Sequence, residues 1–333
     1  MRTDNFKTLL ASLGSLRPTQ LEALIEQATR LHAGNESLRT IERTGAAVLC
    51  CAGCGSTHVV KNGHARGLQR YACKDCGRTF SRTSGTPLSG LRHKERFMEQ
   101  GRHLAAGLTI RQSAVAMGVS LGTALRWRHR FLQAAVSHHG RALTGMLEAD
   151  ETFFRESLKG CRSMPRPSRA RGGILARNRA DLHKKGAALA VPVLVLHMRG
   201  QPYVADRVLS TTSLTKADAL DALREWASPD ALLCVDGSGA FRTVEKDLGI
   251  KVEALAVAYD GRTRTGAEGV FHVQTVNNYH ERLKSWIDRV LRGVATKNLP
   301  LYLAWMRIRE WFKDAVTPEH YLLNALNRQV INT

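Results

Sequence analysis

Apolar residues recur at helical spacing in the first part of the chain, in two runs separated by Pro18. The runs Phe6–Leu13 and Leu21–Ala28 each place apolar side chains on one helical face. They predict two short helices over residues 6–33, within an N-terminal helical segment of residues 1–45, and proline suits the first turn of the second helix. A small packed pair of helices is the plainer interpretation, and a dimerising or end-binding arm is the alternative.

Residues 109–135 have the pattern of a helix-turn-helix, which we assign to a domain of residues 87–140. The first helix carries Ala114 and Ala116, Gly118 makes the turn, Val119 fills the core and Ser120 caps the second helix. We expect the second helix to bury Ala124, Leu125 and Trp127. We expect it to expose three arginines along a DNA major groove, namely Arg126, Arg128 and Arg130. A plain helical hairpin is the alternative, and no base preference follows from the sequence.

From Leu147 onward the pattern changes to alternating strands and helices, which is typical of an α/β domain. Strands are predicted at residues 147–154, 188–198, 202–209, 231–236 and 252–257. Helices are predicted at 214–227, 241–248 and 275–291, the last with Val276, Leu283, Ile287 and Leu291 inward. The domain covers residues 145–310, with a strongly basic loop over 155–186. A helical tail follows over residues 311–333.

Four cysteines form two CxxC motifs, Cys51–Cys54 and Cys73–Cys76, with eighteen residues between the motifs. A tetrahedral zinc ion needs four thiolates, and a CxxC turn presents two of them to one ion. The spacing lies in the range typical of zinc sites. We therefore predict a zinc ribbon over residues 46–86 with a structural zinc ion, since four cysteine ligands leave no coordination position for catalysis. Four unrelated buried thiols are the alternative, and Cys50 is out of phase with the first motif.

The charge indicates the kind of partner. The chain has 49 Lys and Arg against 29 Asp and Glu, a net charge of +20, and a pI of about 10.2. This balance argues against an ordinary neutral metabolic enzyme and favours a polyanion, either nucleic acid or an anionic membrane surface. The longest apolar stretch, residues 187–198, is too short to span a bilayer and contains Pro192 and His197. The N-terminus has no cleavable signal pattern, so the sequence predicts a soluble intracellular protein.

Two aspartates lie on predicted hydrophobic strands, Asp150 within the first strand and Asp236 at the end of the strand 231–236. Burying a carboxylate is costly without a partner, and Mg²⁺ or Mn²⁺ prefers oxygen ligands. Carboxylates on adjacent strands can hold two metal ions that activate an attacking oxygen and stabilise a leaving oxygen. A cap or turn residue is the plainer interpretation of a single aspartate at the end of a strand.

The order of these parts resembles the IS1595 family of insertion-sequence transposases, which have an ISXO2-like catalytic domain. The resemblance covers nearly the whole chain from about residue 45 and rests on the ordered set rather than on one motif. Its parts are Arg70-Tyr71-Ala72-Cys73-Lys74-Asp75-Cys76-Gly77, Ser84-Gly85-Thr86-Pro87-Leu88, Arg126-Trp127-Arg128, Asp150-Glu151-Thr152, Val235-Asp236, and His272-Val273-Gln274-Thr275-Val276-Asn277 with Lys284.

The resemblance implies an RNase H-like domain whose metal ligands are Asp150, Asp236 and a third residue. That third residue is often glutamate, but here Asn277 stands at the position, and Lys284 follows seven residues later. We expect Lys284 to contact phosphate near the reacting end of the DNA, and a solvated helix face is the alternative. An asparagine oxygen ligates Mg²⁺ without adding charge. Glu281 lies on the same helical face and is the main alternative ligand. Asn278 and an inactive site are further alternatives.

The sequence therefore predicts a multidomain protein: a helical segment, a zinc ribbon, a helix-turn-helix and an RNase H-like α/β domain. The predicted function is a prokaryotic DNA transposase, cytoplasmic and associated with the nucleoid. It binds terminal inverted repeats and target DNA as a homodimer or larger oligomer, and cleaves and transfers strands with Mg²⁺ or Mn²⁺. One alternative is an inactive transposase-derived repressor, which needs only zinc. An RNA-directed nuclease of the same fold class is a remote one.

Overall fold

A computed structural model describes residues 3–43, 49–139, 142–161, 175–176, 188–210, 213–255 and 263–327. The chain forms two compact units. The first unit contains the described residues up to Ala106 together with those from Thr317 onward, and the second is Gly107–Val316. The predicted domain of residues 87–140 is thus divided, and the first described residues after Val316 belong to the N-terminal unit.

The first unit begins with helices α1 (Thr3–Ser12) and α2 (Pro18–Arg43). Pro18 opens α2 as predicted, but α2 continues well beyond residue 33. Phe6 and Leu10 are about half exposed, at 47% and 50%, and Ile25 is 58% exposed. The expected packing of the two apolar faces against each other is therefore wrong. None of the described helices is long and apolar enough to cross a membrane.

A three-stranded antiparallel sheet follows, with β1 (Val59–Ala65), β2 (Leu68–Cys73) and β3 (Thr79–Ser81) in sequence order. Its core is small and contains Cys51, Tyr71, Cys73 and Phe80. Helix α3 (Phe97–Ala105) completes the unit by packing on α10 (Pro318–Ala325), the last described helix in chain order. At this contact a Cβ on Gly101 would lie 2.4 Å from the Pro318 carbonyl oxygen, so only glycine allows the close approach.

The second unit is built on a mixed sheet whose strands are β4 (Met146–Arg155), β5 (Leu175–Ala176), β6 (Ala188–Met198), β7 (Val204–Val208), β8 (Leu232–Val235) and β9 (Lys251–Ala254). Strand β4 is central, antiparallel to β6 and parallel to β8, which is parallel to β9. Both β5 and β7 pair with the other edge of β6. Five of these strands were predicted, while the predicted basic loop of 155–186 lies mostly outside the described residues.

Helices cover both faces of this sheet. Helices α6 (Lys216–Trp226) and α7 (Val244–Leu248) pack on one face, against side chains such as Leu147, Ala149 and Val235. Helices α8 (Gln274–Ser285) and α9 (Leu299–Phe312) pack on the other, against Phe154, Val193 and Val195. A hairpin of β10 (Arg264–Gly266) and β11 (Gly269–Phe271) precedes α8. The predicted helix 275–291 is confirmed in type, although a π-helical turn occupies Trp286–Val290.

The predicted helix-turn-helix segment consists of α4 (Ile110–Met117) and α5 (Leu121–Leu132). The Thr109 side chain caps α4 together with Gln112, Gly118 has a φ of +58° at the end of α4, and Ser120 caps α5 by accepting from the Thr123 amide. The turn glycine and the Ser120 cap are as predicted. Helix α5 packs against α9, so the pair belongs to the second unit. This packing explains why the boundary between units falls before α4.

Candidate metal centres and nucleic-acid interface

The four predicted zinc ligands converge in the ribbon. The Sγ atoms of Cys51, Cys54, Cys73 and Cys76 all lie within 4.8 Å of one another. The Cys51–Cys76 and Cys54–Cys73 sulfur pairs are each 3.6 Å apart. A tetrahedral zinc ion with bonds of about 2.3 Å separates its ligand sulfurs by about 3.8 Å. The geometry therefore fits a structural zinc ion.

The electrostatics of the thiols agree with a cation site. The Gly53 amide lies 3.4 Å from the Cys51 sulfur and is the main cause that lowers the pKa of Cys51 to about 7. The Cys76 amide lowers the pKa of Cys73 in the same way. At Cys54 the Ser56 amide lowers the pKa, but the neighbouring sulfurs of Cys76 and Cys73 outweigh it and raise the pKa to about 12. A divalent cation removes this repulsion by holding all four thiolates.

The two predicted catalytic aspartates lie on neighbouring strands. Strands β4 and β8 are parallel, and Ala149 is paired with Val235. Asp150 and Asp236 follow these paired residues directly, so they occupy equivalent positions at the same level of the sheet. Asp150 is mostly buried and Asp236, just beyond the end of β8, is exposed. The parallel pairing thus brings together two carboxylates that are 86 positions apart in the sequence numbering.

The surroundings of Asp150 disfavour the charged form of its carboxyl group. Burial and then the Asp236 carboxylate raise the pKa of Asp150 to about 7, while Lys284 acts in the opposite direction. The Glu151 amide donates to Asp150 Oδ1 at 2.7 Å, and the Ser238 amide donates to Asp236 Oδ1 at 3.1 Å. A divalent cation between two such carboxylates offsets both their repulsion and the cost of burial. The pair therefore fits the oxygen-ligand chemistry of Mg²⁺ or Mn²⁺.

Helix α8 places His280 beside Asp150. The Nδ1 atom of buried His280 is 3.8 Å from Asp150 Oδ2. Burial, followed by the charges of Lys284 and His197, lowers the pKa of His280 to about 3, so the imidazole is neutral at pH 7. Asn277 is exposed on the first turn of α8, one helical turn before His280.

The alternatives to Asn277 have other partners. Glu281 is 81% exposed and lies 3.8 Å from the Lys284 ammonium, and Asn278 Oδ1 accepts from Arg282 at 3.0 Å. Among the described residues, no set of three carboxylates around Asp150 is close enough to share one ion. Glu281 therefore does not join Asp150 and Asp236 in this conformation.

Sequence reasoning alone does not single out one important residue of the site, Glu148. This side chain is fully buried on the same face of β4 as Asp150. Its carboxylate accepts from the Thr275 amide at 2.8 Å, the Val276 amide at 3.0 Å and the Thr275 hydroxyl at 2.8 Å. Glu148 therefore caps the N-terminus of α8. Its position two residues before Asp150, on the same face of the strand, is the only sequence signal of this role.

The predicted arginine face of α5 is corrected at one position. Arg126 is exposed and Arg130 is half-buried, but Arg128 is 1% exposed. The Arg128 guanidinium donates to the Leu108 carbonyl at 2.6 Å and lies 4.6 Å from the centre of the Trp305 ring. Leu125, expected in the core, is instead 39% exposed. Helix α5 is rotated relative to the prediction because α9 takes the face that carries Arg128.

The fold and sites define a multidomain protein that combines a four-cysteine metal site with an α/β domain carrying two carboxylates on adjacent parallel strands. No protein-family model matches this chain. It is 30% identical over 263 residues to the "Uncharacterized protein in transposable element ISH50" of Halobacterium salinarum (strain ATCC 700922 / JCM 11081 / NRC-1). The match covers 78% of this chain and 84% of that protein. The chain therefore belongs to the family of this transposable-element protein.

Proposed function

We propose that this protein is a DNA transposase, similar to those of the IS1595 family, which cleaves the ends of an insertion sequence and joins them to target DNA. The observation that carries the proposal is the pair Asp150 and Asp236 at one level of two adjacent parallel strands. The family relationship to a transposable-element protein supports it. A zinc ribbon and a helical pair alone are equally consistent with a DNA-binding protein, so the carboxylate pair distinguishes the enzyme.

The sheet supports assignment of the second unit to the RNase H-like class. Its strands run in the order β7, β6, β4, β8 and β9, with the first three antiparallel and the last three parallel. The central strand β4 carries Asp150 and its parallel neighbour β8 ends at Asp236. This arrangement agrees with the fold that the sequence resemblance implies, in which acidic residues on the central strands meet a polar residue from a later helix.

Asp150, Asp236 and Asn277 are the residues that would hold Mg²⁺ or Mn²⁺. When bound, such ions lower the pKa of an attacking water or hydroxyl and stabilise charge on the leaving oxygen. The buried Asp150 fixes one ligand, and the exposed Asp236 leaves the site open to DNA. The Lys284 ammonium is close enough to affect the pKa of Asp150, and we assign to it a contact with phosphate near the reacting bond. Neutral His280 adds no charge beside Asp150.

Two transfers at phosphorus account for the reaction. In the first, water attacks the phosphodiester at the end of the element, and the bond from phosphorus to the 3′-oxygen breaks to leave a 3′-hydroxyl. In the second, that hydroxyl attacks a phosphodiester of the target DNA. A bond forms from its 3′-oxygen to the target phosphorus, and the bond from that phosphorus to the target's own 3′-oxygen breaks, which leaves a 3′-hydroxyl on the cut target strand. No covalent bond to the protein is required, because the nucleophile in each step is water or a DNA hydroxyl.

The ribbon and the α4–α5 pair are assigned to recognition of the terminal inverted repeats. The net charge of +20 favours contact with phosphates, and exposed Arg126 is the best placed of the three predicted arginines on α5. Since two ends must be joined in one event, we propose that the protein acts on DNA as a homodimer or larger assembly. We also propose that it associates with the bacterial or archaeal nucleoid.

The proposal is tested by strand cleavage of a labelled duplex that carries the end of the element encoding this protein, with Mg²⁺ or Mn²⁺. We expect wild type to cut, Asp236→Ala and Asn277→Ala to lose cutting while retaining binding, and Glu281→Ala to remain active. Asp221→Ala is a matched control, since Asp221 is exposed on α6, where it pairs with Arg224 of the same helix. A wild type that binds the duplex tightly but never cuts it would overturn the proposal in favour of a repressor.

A further inference from the structure

An ion pair between half-buried Arg199 and fully buried Glu148 lies next to the proposed catalytic site. The Arg199 Nε atom donates to Glu148 Oε1 at 2.7 Å, and Glu148 is fully buried. The same guanidinium donates to the His272 carbonyl at 2.8 Å and to the Val270 carbonyl. The Arg199 amide donates to the Met146 carbonyl at the start of β4. One ion pair therefore joins the central strand, the turn after β6 and the segment that leads into α8.

The residues of this ion pair and the residues it contacts lie close in sequence to the proposed metal ligands. Glu148 lies two residues before Asp150, and Thr275, which donates twice to Glu148, lies two residues before Asn277. Arg199 Nη2 is 3.9 Å from the sulfur of buried Cys234, which lies two residues before Asp236. The ion pair therefore involves a residue two positions before each of the three proposed ligands.

We propose that Glu148 and Arg199 are positioning residues that hold Asn277 and Lys284 in register with Asp150 and Asp236. This inference rests on the proposed function and deepens it. Neither residue is assigned contact with metal or DNA. They act through α8, whose first turn would otherwise be free to shift along or away from β4.

Physical chemistry supports a positioning role. A buried carboxylate is costly unless its oxygens are fully hydrogen-bonded, and here Arg199, two amides and a hydroxyl supply the donors. A carboxylate at a helix N-terminus also interacts favourably with the helix dipole. The geometry at this N-terminus is therefore defined by several bonds at once. Groups that orient metal ligands without touching the metal commonly change metal affinity by about 10- to 100-fold when removed.

A second ion pair with a buried carboxylate, in the same unit, provides the matched control. Glu310 on α9 accepts two bonds from Arg282 on α8, at 2.6 and 2.9 Å, and its side chain is 8% exposed. This pair ties α8 to α9 rather than to the strands that carry the aspartates. Glu310→Gln therefore removes a buried carboxylate that contacts α8 from the α9 side, without removing the link to β4.

The test uses full-length, zinc-loaded protein as wild type, Glu148→Gln, Arg199→Lys and Glu310→Gln. Hydrogen exchange measured by mass spectrometry reports on residues 272–284, and strand cleavage is measured against Mn²⁺ concentration. For Glu148→Gln and Arg199→Lys we expect faster exchange at the start of α8 and about a 10-fold higher Mn²⁺ concentration for half-maximal cleavage. High Mn²⁺ should restore most of the rate. Arg199→Lys, which keeps the charge, serves if Glu148→Gln does not fold.

The outcomes separate the two proposals. Unchanged exchange and unchanged Mn²⁺ dependence in both variants would overturn the positioning role. An equal shift in Mn²⁺ dependence in Glu310→Gln would also overturn it, by showing a general effect of destabilising α8. A wild type that neither cuts nor responds to Mn²⁺ counts against the proposed function. In that case exchange at the start of α8 still decides whether Glu148 and Arg199 hold the helix.

Discussion

Arg126 and Arg128 lie two positions apart on α5, but their side chains have opposite environments. Arg126 faces solvent, whereas Arg128 is enclosed and contacts Leu108, Ser113 and the Trp305 ring. A desolvated guanidinium over an indole ring contributes about 2 kcal/mol, and its long side chain also fills space in the core. The structure thus separates one arginine that is open to solvent from one that stabilises the fold.

The two substitutions should therefore have different effects. Arg128→Ala is expected to lower the free energy of unfolding by about 2–4 kcal/mol, as measured by urea unfolding followed through tryptophan fluorescence. Arg126→Ala should leave that free energy within about 0.5 kcal/mol of wild type. It should instead weaken duplex binding and reduce the salt slope of binding by about one. Weakened DNA binding in a fully stable Arg128→Ala would contradict this assignment.

Asp150 predicts a dependence of stability on pH. Burial and Asp236 raise its pKa to about 7, above the ordinary value of about 3.9 in an unfolded chain. Between these values the folded state retains a proton that the unfolded state has lost. Stability without added Mg²⁺ therefore falls as the pH rises from about 4 through 7.

Removing the charge should reverse this loss. At pH 8 without Mg²⁺, Asp150→Asn is expected to be more stable than wild type by at least about 1 kcal/mol, and the difference should shrink as the pH falls toward 5. Thermal unfolding at a series of pH values measures it, with exposed Asp221→Asn as the control. A stability difference that is the same at pH 5 and pH 8 would show that Asp150 does not titrate in this range.

The zinc ribbon is an element with almost no core of its own. Its buried cluster contains two of the predicted zinc ligands, Cys51 and Cys73, with Tyr71 and Phe80. So few apolar side chains cannot offset the conformational entropy of ordering the segment. We therefore expect metal binding to supply a major part of the free energy of folding of this element.

Chelation should release one zinc ion per chain and unfold the ribbon. Cys51→Ser is expected to lose the zinc, whereas Cys50→Ser should retain it, because Cys50 is exposed and outside the four-sulfur cluster. Metal analysis by mass spectrometry and hydrogen exchange over residues 49–86 measure the two effects. Retention of full zinc content by Cys51→Ser would show that the four cysteines are not the ligand set.

At the level of the whole chain, the 49 basic residues outnumber the 29 acidic ones. This positive net charge dominates the long-range electrostatic interactions of the protein. Binding to duplex DNA that neutralises about 6–10 phosphates weakens by about 10³- to 10⁵-fold between 50 and 200 mM salt. We expect this protein to lie within that range, as measured by fluorescence anisotropy on an element end and on an unrelated duplex. A nearly flat salt dependence on both duplexes would contradict a binding mode based on phosphate contacts.

Much of the architecture was predictable because it is encoded locally. The CxxC spacing identified the four cysteines that converge, and apolar runs identified strands β4, β6 and β8. Caps such as Ser120 act within a few residues and were also predictable. Asp150 and Asp236 stood out because a carboxylate is unusual on an apolar strand. Their role as metal ligands, with Asn277 as the third, remains a prediction.

Tertiary structure decided what depends on partners far away in the sequence. Helical spacing alone predicted that Arg128 faces solvent, but α9 covers it, because an amphipathic pattern does not specify which helix packs where. Arg199 was one basic residue among 49, and only folding brings it to Glu148 and the start of α8. The sequence by itself determined the elements and the chemistry they carry, since both follow from local spacing. Only the three-dimensional packing determined which charges are buried together, since that depends on contacts between distant segments.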